Sequence, residues 1–239
     1  MTNYAMVIDL QRCVGCGACV ISCKNENNVE EGIFWSNRIV KTVGRFPEVR
    51  FEYIPTLCNH CEKAPCVQVC PSGAMYKENS VTLHDPDICI GCRYCMNACP
   101  YHNIWFNWKR PHERWRANKT LIEGCTSSPQ ELVKKVGAFP PYSNPDLGKK
   151  SPAIRPKGVV EKCNFCYHRI TKGELPYCVV ECPPDARIFG NLDDPKSKVS
   201  YLLGKYRPFR LREHLGTKPK IFYIRNFNPG HYTRSKGGV

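Results

Sequence analysis

Sixteen of the seventeen cysteines in this chain fall into four sets of four, and the spacing inside each set limits what the polypeptide can fold around. The sets are Cys13, Cys16, Cys19 and Cys23; Cys58, Cys61, Cys66 and Cys70; Cys89, Cys92, Cys95 and Cys99; and Cys163, Cys166, Cys178 and Cys182. Three of them close with proline, at Cys70-Pro71, Cys99-Pro100 and Cys182-Pro183. The run C-x2-C-x2-C-x3-C-P is the bacterial ferredoxin pattern, whose thiolates hold [4Fe–4S] clusters. Four such runs in 239 residues describe a chain built to move electrons.

A cubane cluster has four iron corners, each wanting one thiolate. A loop of about eight residues wraps three of them, and the fourth cysteine of the run ligates the other cluster of a pair. The proline that follows lacks an N–H and has a fixed φ, so it keeps the next turn from folding back on the site. Sets two and three pair with each other, which leaves sets one and four as the second pair. The expected groups are Cys13, Cys16, Cys19 and Cys182 for cluster 1, and Cys58, Cys61, Cys66 and Cys99 for cluster 2. Cys89, Cys92, Cys95 and Cys70 are expected around cluster 3, and Cys163, Cys166, Cys178 and Cys23 around cluster 4.

Other uses of these cysteines fit less well. An all-cysteine zinc site takes two C-x2-C knuckles separated by a longer stretch, whereas in sets one and three the third cysteine follows at once. Disulfides within C-x2-C-x2-C would be strained, and the cysteine total is odd. The formal charge of +14 reads differently once the clusters are counted: at about −2 each when oxidised, four of them leave the loaded protein nearer about +6. That weakens a nucleic-acid reading, and none is expected. No stretch approaches the roughly 20 apolar residues that cross a bilayer, so no direct membrane insertion is expected. Residues 1–10 lack the basic patch and apolar core of a signal peptide.

The expected fold class is α+β and loop-rich, made of two ferredoxin-like modules, one discontinuous and wrapped around the other. Residues 50–108 form the inner module with sets two and three. Its two halves resemble each other, and the apolar runs after each Cys-Pro read as strands of a small hairpin. Residues 1–49 and 158–190 form the discontinuous module with sets one and four, each beside a strand-like segment, 5–10 and 186–189. Residues 109–157 are an irregular insertion in which Ser128-Pro129-Gln130-Glu131 caps a short helix. Residues 191–239 are a basic extension with one strand candidate, Ile221–Ile224.

Four segments carry a family resemblance: Thr56-Leu57-Cys58-Asn59-His60-Cys61, Ala64-Pro65-Cys66, Asn97-Ala98-Cys99-Pro100-Tyr101, and Glu161-Lys162-Cys163-Asn164-Phe165-Cys166. In these, and in the 11-residue gap between Cys166 and Cys178, the chain resembles the four-cluster iron–sulfur subunit of the dimethyl sulfoxide reductase family of molybdenum enzymes. Within that family it is similar to the small subunits of respiratory arsenate reductases, through Met6-Val7-Ile8-Asp9-Leu10, Ile154-Arg155-Pro156-Lys157, the run from Gly190 to Ser200, and Phe222-Tyr223-Ile224-Arg225.

The resemblance implies an electron relay and no catalysis by this chain alone. Its partners would be a large catalytic subunit holding molybdenum bis(pterin guanine dinucleotide) and a quinone-linked membrane subunit or cytochrome. It also implies four [4Fe–4S] clusters, since Cys92 stands where some relatives have tryptophan and a [3Fe–4S] centre. Localisation on the periplasmic side follows from co-export with a partner bearing a twin-arginine signal, with the cytoplasm as the alternative. Subunits serving polysulfide, tetrathionate, dimethyl sulfoxide, hydroxyarene, formate or hydrogen oxidoreductases are neighbouring readings. A metal-bound interaction module without a redox task is the reading from another class.

The remaining residues have plainer expectations. Cys125 belongs to no set and is expected to be a simple thiol. His60 and His168 stand near cluster cysteines for packing or hydrogen bonding, because each cluster already has four ligands. Lys24, Arg93 and Lys162 are solvated charges by default, although a cation near a cluster raises its potential. Trp105, Trp108 and Trp115 are expected in the core or at an interface. Lys24 also stands where the other sets have proline.

Overall fold

A computed structural model describes residues 2–113, 118–120, 122–137 and 155–227. Trp115, the proline-rich stretch from Pro140 to Pro152, Ile154 and the last twelve residues lie outside the described residues.

The strand at the centre of the molecule, β1 (Tyr4–Asp9), is flanked on one side by antiparallel β8 (Arg187–Asn191) and on the other by parallel β9 (Ile221–Ile224). Side chains alternate across a strand, and here each face of β1 meets a different core. Met6 and Ile8 face the cysteine-rich core with Leu57, Leu83 and Phe165. Ala5 and Val7 face a smaller core with Ile188, Ile224 and Val199, the last on α7 (Lys198–Lys205). Both strand segments expected beside sets one and four are therefore present and hydrogen-bonded to each other. The expected strand at Ile221–Ile224 completes the same sheet, so this part of the basic segment contributes to the core.

The second feature is a long hairpin, β2 (Ser36–Arg45) with β3 (Glu48–Leu57), paired from Ser36 with Leu57 out to Arg45 with Glu48. Only its base is buried. Gly44, at φ +101°, precedes a turn where a Cβ would lie 2.1 Å from the Glu48 carbonyl, so only glycine fits. The expected division between residues 49 and 50 falls inside β3.

Short elements carry the rest. Each of α2 (Pro65–Gln68), α3 (Tyr94–Ala98) and α6 (Tyr177–Val180) is a single turn that stops before Cys-Pro, and α5 (Tyr167–Ile170) is a single turn that follows Cys166. The first helix, α1 (Ala18–Glu26), runs on through Cys23 and Lys24. Proline at position 24 would break it, which explains the departure from the other sets. Helix α4 (Pro129–Val136) starts with the expected capping box: Glu131 N–H donates to Ser128 Oγ, and Ser128 N–H donates to the Glu131 carboxylate.

The expected hairpin between the two apolar runs of the inner module does not form. β4 (Met75–Glu78) pairs instead with β5 (Val81–His84), and β6 (Trp105–Phe106) pairs with β7 (Val160–Glu161). Asn79 and Ser80 both have positive φ (46° and 65°), the geometry of a two-residue turn that closes a hairpin locally. The second run is then left to pair with the strand leading into set four.

Candidate metal centres

Turns with left-handed backbone present the cysteines. Gly15 (φ +69°) sits between Cys13 and Cys16, where the Tyr53 ring would meet a Cβ at 2.4 Å. Gly91 (φ +70°) does the same between Cys89 and Cys92, against the Gly158 carbonyl at 2.2 Å. These loops let the backbone bend around a centre with no side chain in the way.

The sulfurs gather in four groups. Cys13, Cys16, Cys19 and Cys182 line one cavity with an empty volume of about 360 Å³. Cys70, Cys89, Cys92 and Cys95 line another of about 280 Å³. Cys61 and Cys66 face Cys58 and Cys99. Cys23 faces Cys163, Cys166 and Cys178. Cys125 is exposed and joins none of them. The groups are also neighbours in a row. Cys178 feels Cys19 and Cys182, and Cys163 feels Cys58. One core holds Cys61, Cys66 and Cys99 together with Cys95. Cys16 and Cys92, one at each end of the row, are exposed.

Burial raises several of these thiols. It takes Cys61 up to about 11, and Cys66, Cys95 and Cys166 up to about 12. Cys23 and Cys163 are pushed up by burial and then by the sulfurs around them. Buried thiols raised this far stay protonated unaided, but a bound metal centre deprotonates its thiol ligands outright. Among the described residues no three or more His, Cys, Asp or Glu side chains are placed to hold a single metal ion. The cavities between them suit a polynuclear core.

Polar groups point at the sulfurs. The N–H groups of Met75, Phe165 and Ala186 donate to Cys70 (3.4 Å), Cys163 (3.5 Å) and Cys182 (3.3 Å). Asn27 Nδ2 donates to Cys166 Sγ at 3.6 Å and Cys23 Sγ at 3.8 Å. Arg187 Nη1 donates to Cys178 Sγ at 3.5 Å. Of the buried nitrogens that lack a hydrogen-bond partner among the described residues, His84 Nε2 and Arg187 Nε belong to side chains lining a cysteine cavity. These are the donors that the sulfides of an iron–sulfur core accept from, so the residues fit [4Fe–4S] groups.

His60 is fully buried, stacks on Phe165 at 3.7 Å and accepts the Thr82 N–H at its Nδ1, while His168 Nε2 bonds Glu26 at 2.7 Å. Both do the packing and hydrogen-bonding work expected of them. Lys162 departs from expectation. It is only 2% exposed, with Nζ donating to the carbonyls of Thr82 and Cys163, because the β7 strand before it draws it into the core. Lys24 is half sequestered too, donating to the carbonyls of Glu30 (2.8 Å) and Ile33 (2.7 Å). Arg93 stacks over Phe106 and Trp108. Sequence reasoning missed Arg187, whose signal is a charge inside the apolar strand run Ala186-Arg187-Ile188-Phe189. It also missed Asn27, which has no such signal.

Comparison with known proteins agrees with this chemistry. Residues 49–128 and 141–192 match a family model described as a 4Fe-4S dicluster domain, and residues 12–74 match a second model of the same description. The arsenate respiratory reductase iron-sulfur subunit ArrB of Shewanella sp. (strain ANA-3) is 54% identical over 94% of this chain and 97% of its own length. A putative iron-sulfur subunit of a dimethyl sulfoxide reductase from Halobacterium salinarum is 42% identical, over 99% of this chain and 84% of its own. A selenate reductase subunit from Mesobacillus selenatarsenatis is 37% identical, over 93% and 72%.

Proposed function

The chain belongs to the 4Fe-4S dicluster family of reductase iron–sulfur subunits, and on that premise we propose that it is the electron-transfer subunit of an arsenate-reductase-like molybdenum enzyme in anaerobic respiration. It relays single electrons between a quinone-linked membrane subunit or cytochrome and a molybdopterin catalytic subunit. The observation that carries this reading is the row of four cysteine groups with an exposed cysteine at each end, Cys16 and Cys92. A relay needs two accessible ends and an insulated middle. When bound, [4Fe–4S] clusters supply one-electron centres whose potentials follow hydrogen bonding, burial and nearby charge.

In this proposal the ligands follow the four groups. Cys13, Cys16, Cys19 and Cys182 hold cluster 1; Cys58, Cys61, Cys66 and Cys99 hold cluster 2. Cys89, Cys92, Cys95 and Cys70 hold cluster 3; Cys163, Cys166, Cys178 and Cys23 hold cluster 4. Asn27 Nδ2, which donates to both Cys23 Sγ and Cys166 Sγ, supports this exchange, as do the two cavities lined by Cys182 and Cys70 with the opposite set. The module carrying clusters 1 and 4 is then discontinuous in sequence and embraces the other, a reading supported by the pairing of β1 with β8. The chain's own work is to supply thiolates, aim N–H groups at them and exclude water. Among the described residues no helix is long and apolar enough to cross a membrane. In this reading a partner with a twin-arginine signal carries the chain to the periplasmic side.

The test is anaerobic purification from native cells with iron, molybdenum and zinc quantified. About sixteen irons per chain, four for each cluster, with molybdenum in a co-purifying large subunit, is the expected result. Iron without molybdenum would move the chain to another partner, and zinc in place of iron would end the relay reading.

A further inference from the structure

Two cations are sunk among the cysteine groups. Arg187 and Lys162 are each 2% exposed, and neither has an ion pair with a carboxylate among the described residues. Burying an unpaired charge costs several kcal/mol, so the fold retains these two against a penalty. The negative groups around them are sulfurs.

Each cation lies between two groups. Arg187 reaches Cys178 with Nη1 at 3.5 Å and is held by Ser36 Oγ, which accepts from Nη2 at 3.0 Å. The same side chain lines the cavity of Cys13, Cys16, Cys19 and Cys182, and its buried Nε has no partner among the described residues. One guanidinium thus serves the ligands of cluster 4 and faces the site of cluster 1. Lys162 donates to the carbonyl of Cys163, a cluster 4 residue, at 2.7 Å, and to that of Thr82. Thr82 in turn donates its N–H to Nδ1 of His60, which stands between the cluster 2 residues Cys58 and Cys61.

We propose that Arg187 and Lys162 are charge bridges: Arg187 raises the reduction potentials of clusters 1 and 4 together, and Lys162 raises those of clusters 4 and 2. The inference rests on the relay reading above. No bond forms or breaks when an electron arrives; a fixed positive charge meets the added negative one, and favours the reduced form of both neighbours. Adjacent centres are kept close in potential because they share the same cation. Arg187 and Lys162 overlap at cluster 4, which gives the arrangement a distinctive signature.

Redox titration of the intact iron-loaded complex, followed by electron paramagnetic resonance, reads that signature. Arg187→Gln should lower the reduced-to-oxidised ratio at a fixed poise about tenfold in two of the four signals, equivalent to about 59 mV for a one-electron couple. Lys162→Met should do the same in two signals, sharing one with Arg187→Gln. One signal then responds to both variants, two respond to one each, and the fourth to neither. Arg187→Lys keeps the charge and should hold both of its signals within about threefold of wild type.

Iron per chain is measured for every variant. Should Arg187→Gln lose iron, Arg187→Lys decides, because a tenfold fall in either of its signals would overturn the bridge. A shift in a single signal, or an equal shift in all four, overturns it as well. Wild-type protein with no reducible signal would overturn the relay, and the bridges with it; signals that titrate but ignore Arg187 overturn the bridges alone.

Discussion

The inner and outer cysteine groups are built by different means. All eight cysteines of the inner groups, those proposed to hold clusters 2 and 4, are buried, whereas among the outer eight only Cys95 is. Strands and side chains from distant parts of the chain enclose the inner groups, with Leu57, Phe165 and Leu83 packed around them. The outer groups hang on glycine loops, with exposed apolar residues beside the surface cysteine: Val14 near Cys16, and Ile90 and Tyr94 near Cys92. The inner pair is thus part of what holds the molecule together, and the outer pair is part of what it shows to others.

The largest expected effect separates the two directly. Cys163→Ser should remove iron beyond one cluster and unfold much of the chain, since Cys163 lies in the main core with Leu57 and Phe165. Cys16→Ser should leave far-ultraviolet circular dichroism unchanged and cost at most one cluster's iron. Equal losses in the two variants would erase the distinction.

Charge pairs should divide the same way. Arg155 donates to Glu161 at 2.8 Å, with both buried, and Glu161 also accepts from Trp35 and Asn107. Breaking such a pair by Glu161→Gln should cost about 3–5 kcal/mol in anaerobic denaturant unfolding. The exposed pair Lys218–Glu62 should register no more than about 1 kcal/mol on Glu62→Gln. A comparable loss in both would mean that burial is not what sets the value.

Apolar truncation should follow suit. Met6→Ala empties a fully buried site on β1 and should cost about 2–5 kcal/mol. Phe51→Ala on the exposed hairpin should stay within about 0.5 kcal/mol in the isolated chain. If that change weakens binding to a partner while leaving stability intact, the hairpin joins the outer, partner-facing class.

The smallest effect is a pH slope. A hydrogen bond from His168, and then its charge and that of Arg169, hold the Glu26 carboxyl below its ordinary value. A lowered folded-state value gives stability that is present above pH 4.5 and lost as pH falls through the folded value. At this half-exposed position the contribution is no more than about 1 kcal/mol. Unfolding of Glu26→Gln and wild type between about pH 5.5 and 3.5 should show the difference shrink toward acid; a constant gap would refute the assignment.

The chemistry of the centres was legible because ligand spacing is a local property: Cys13 to Cys19 and Cys89 to Cys95 read directly off the chain. So was α4, whose cap needs only Ser128 and Glu131. What escaped depends on encounters between distant segments. β6 pairs with β7 rather than within its own repeat, and Lys162 is buried only because that pairing exists. The hairpin does carry a period of two in Val49-Arg50-Phe51-Glu52-Tyr53. With Val49, Phe51 and their neighbours exposed, however, no core explains the apolar set, and the turn around Pro47 is not one of the common hairpin dipeptides.

The position of β1 also sets a timetable. Tyr4 leaves the ribosome well before its partner Asn191, and Met6 waits for Ile221. At roughly 5–20 residues per second, β1 waits on the order of 10–40 seconds before it gains either neighbour. A bare apolar strand with two open edges invites mispairing over that time. The hairpin β4–β5, between sets two and three, closes from its own turn and has no such wait. Maturation is therefore staged, with the middle of the chain ready for iron first and its two ends last.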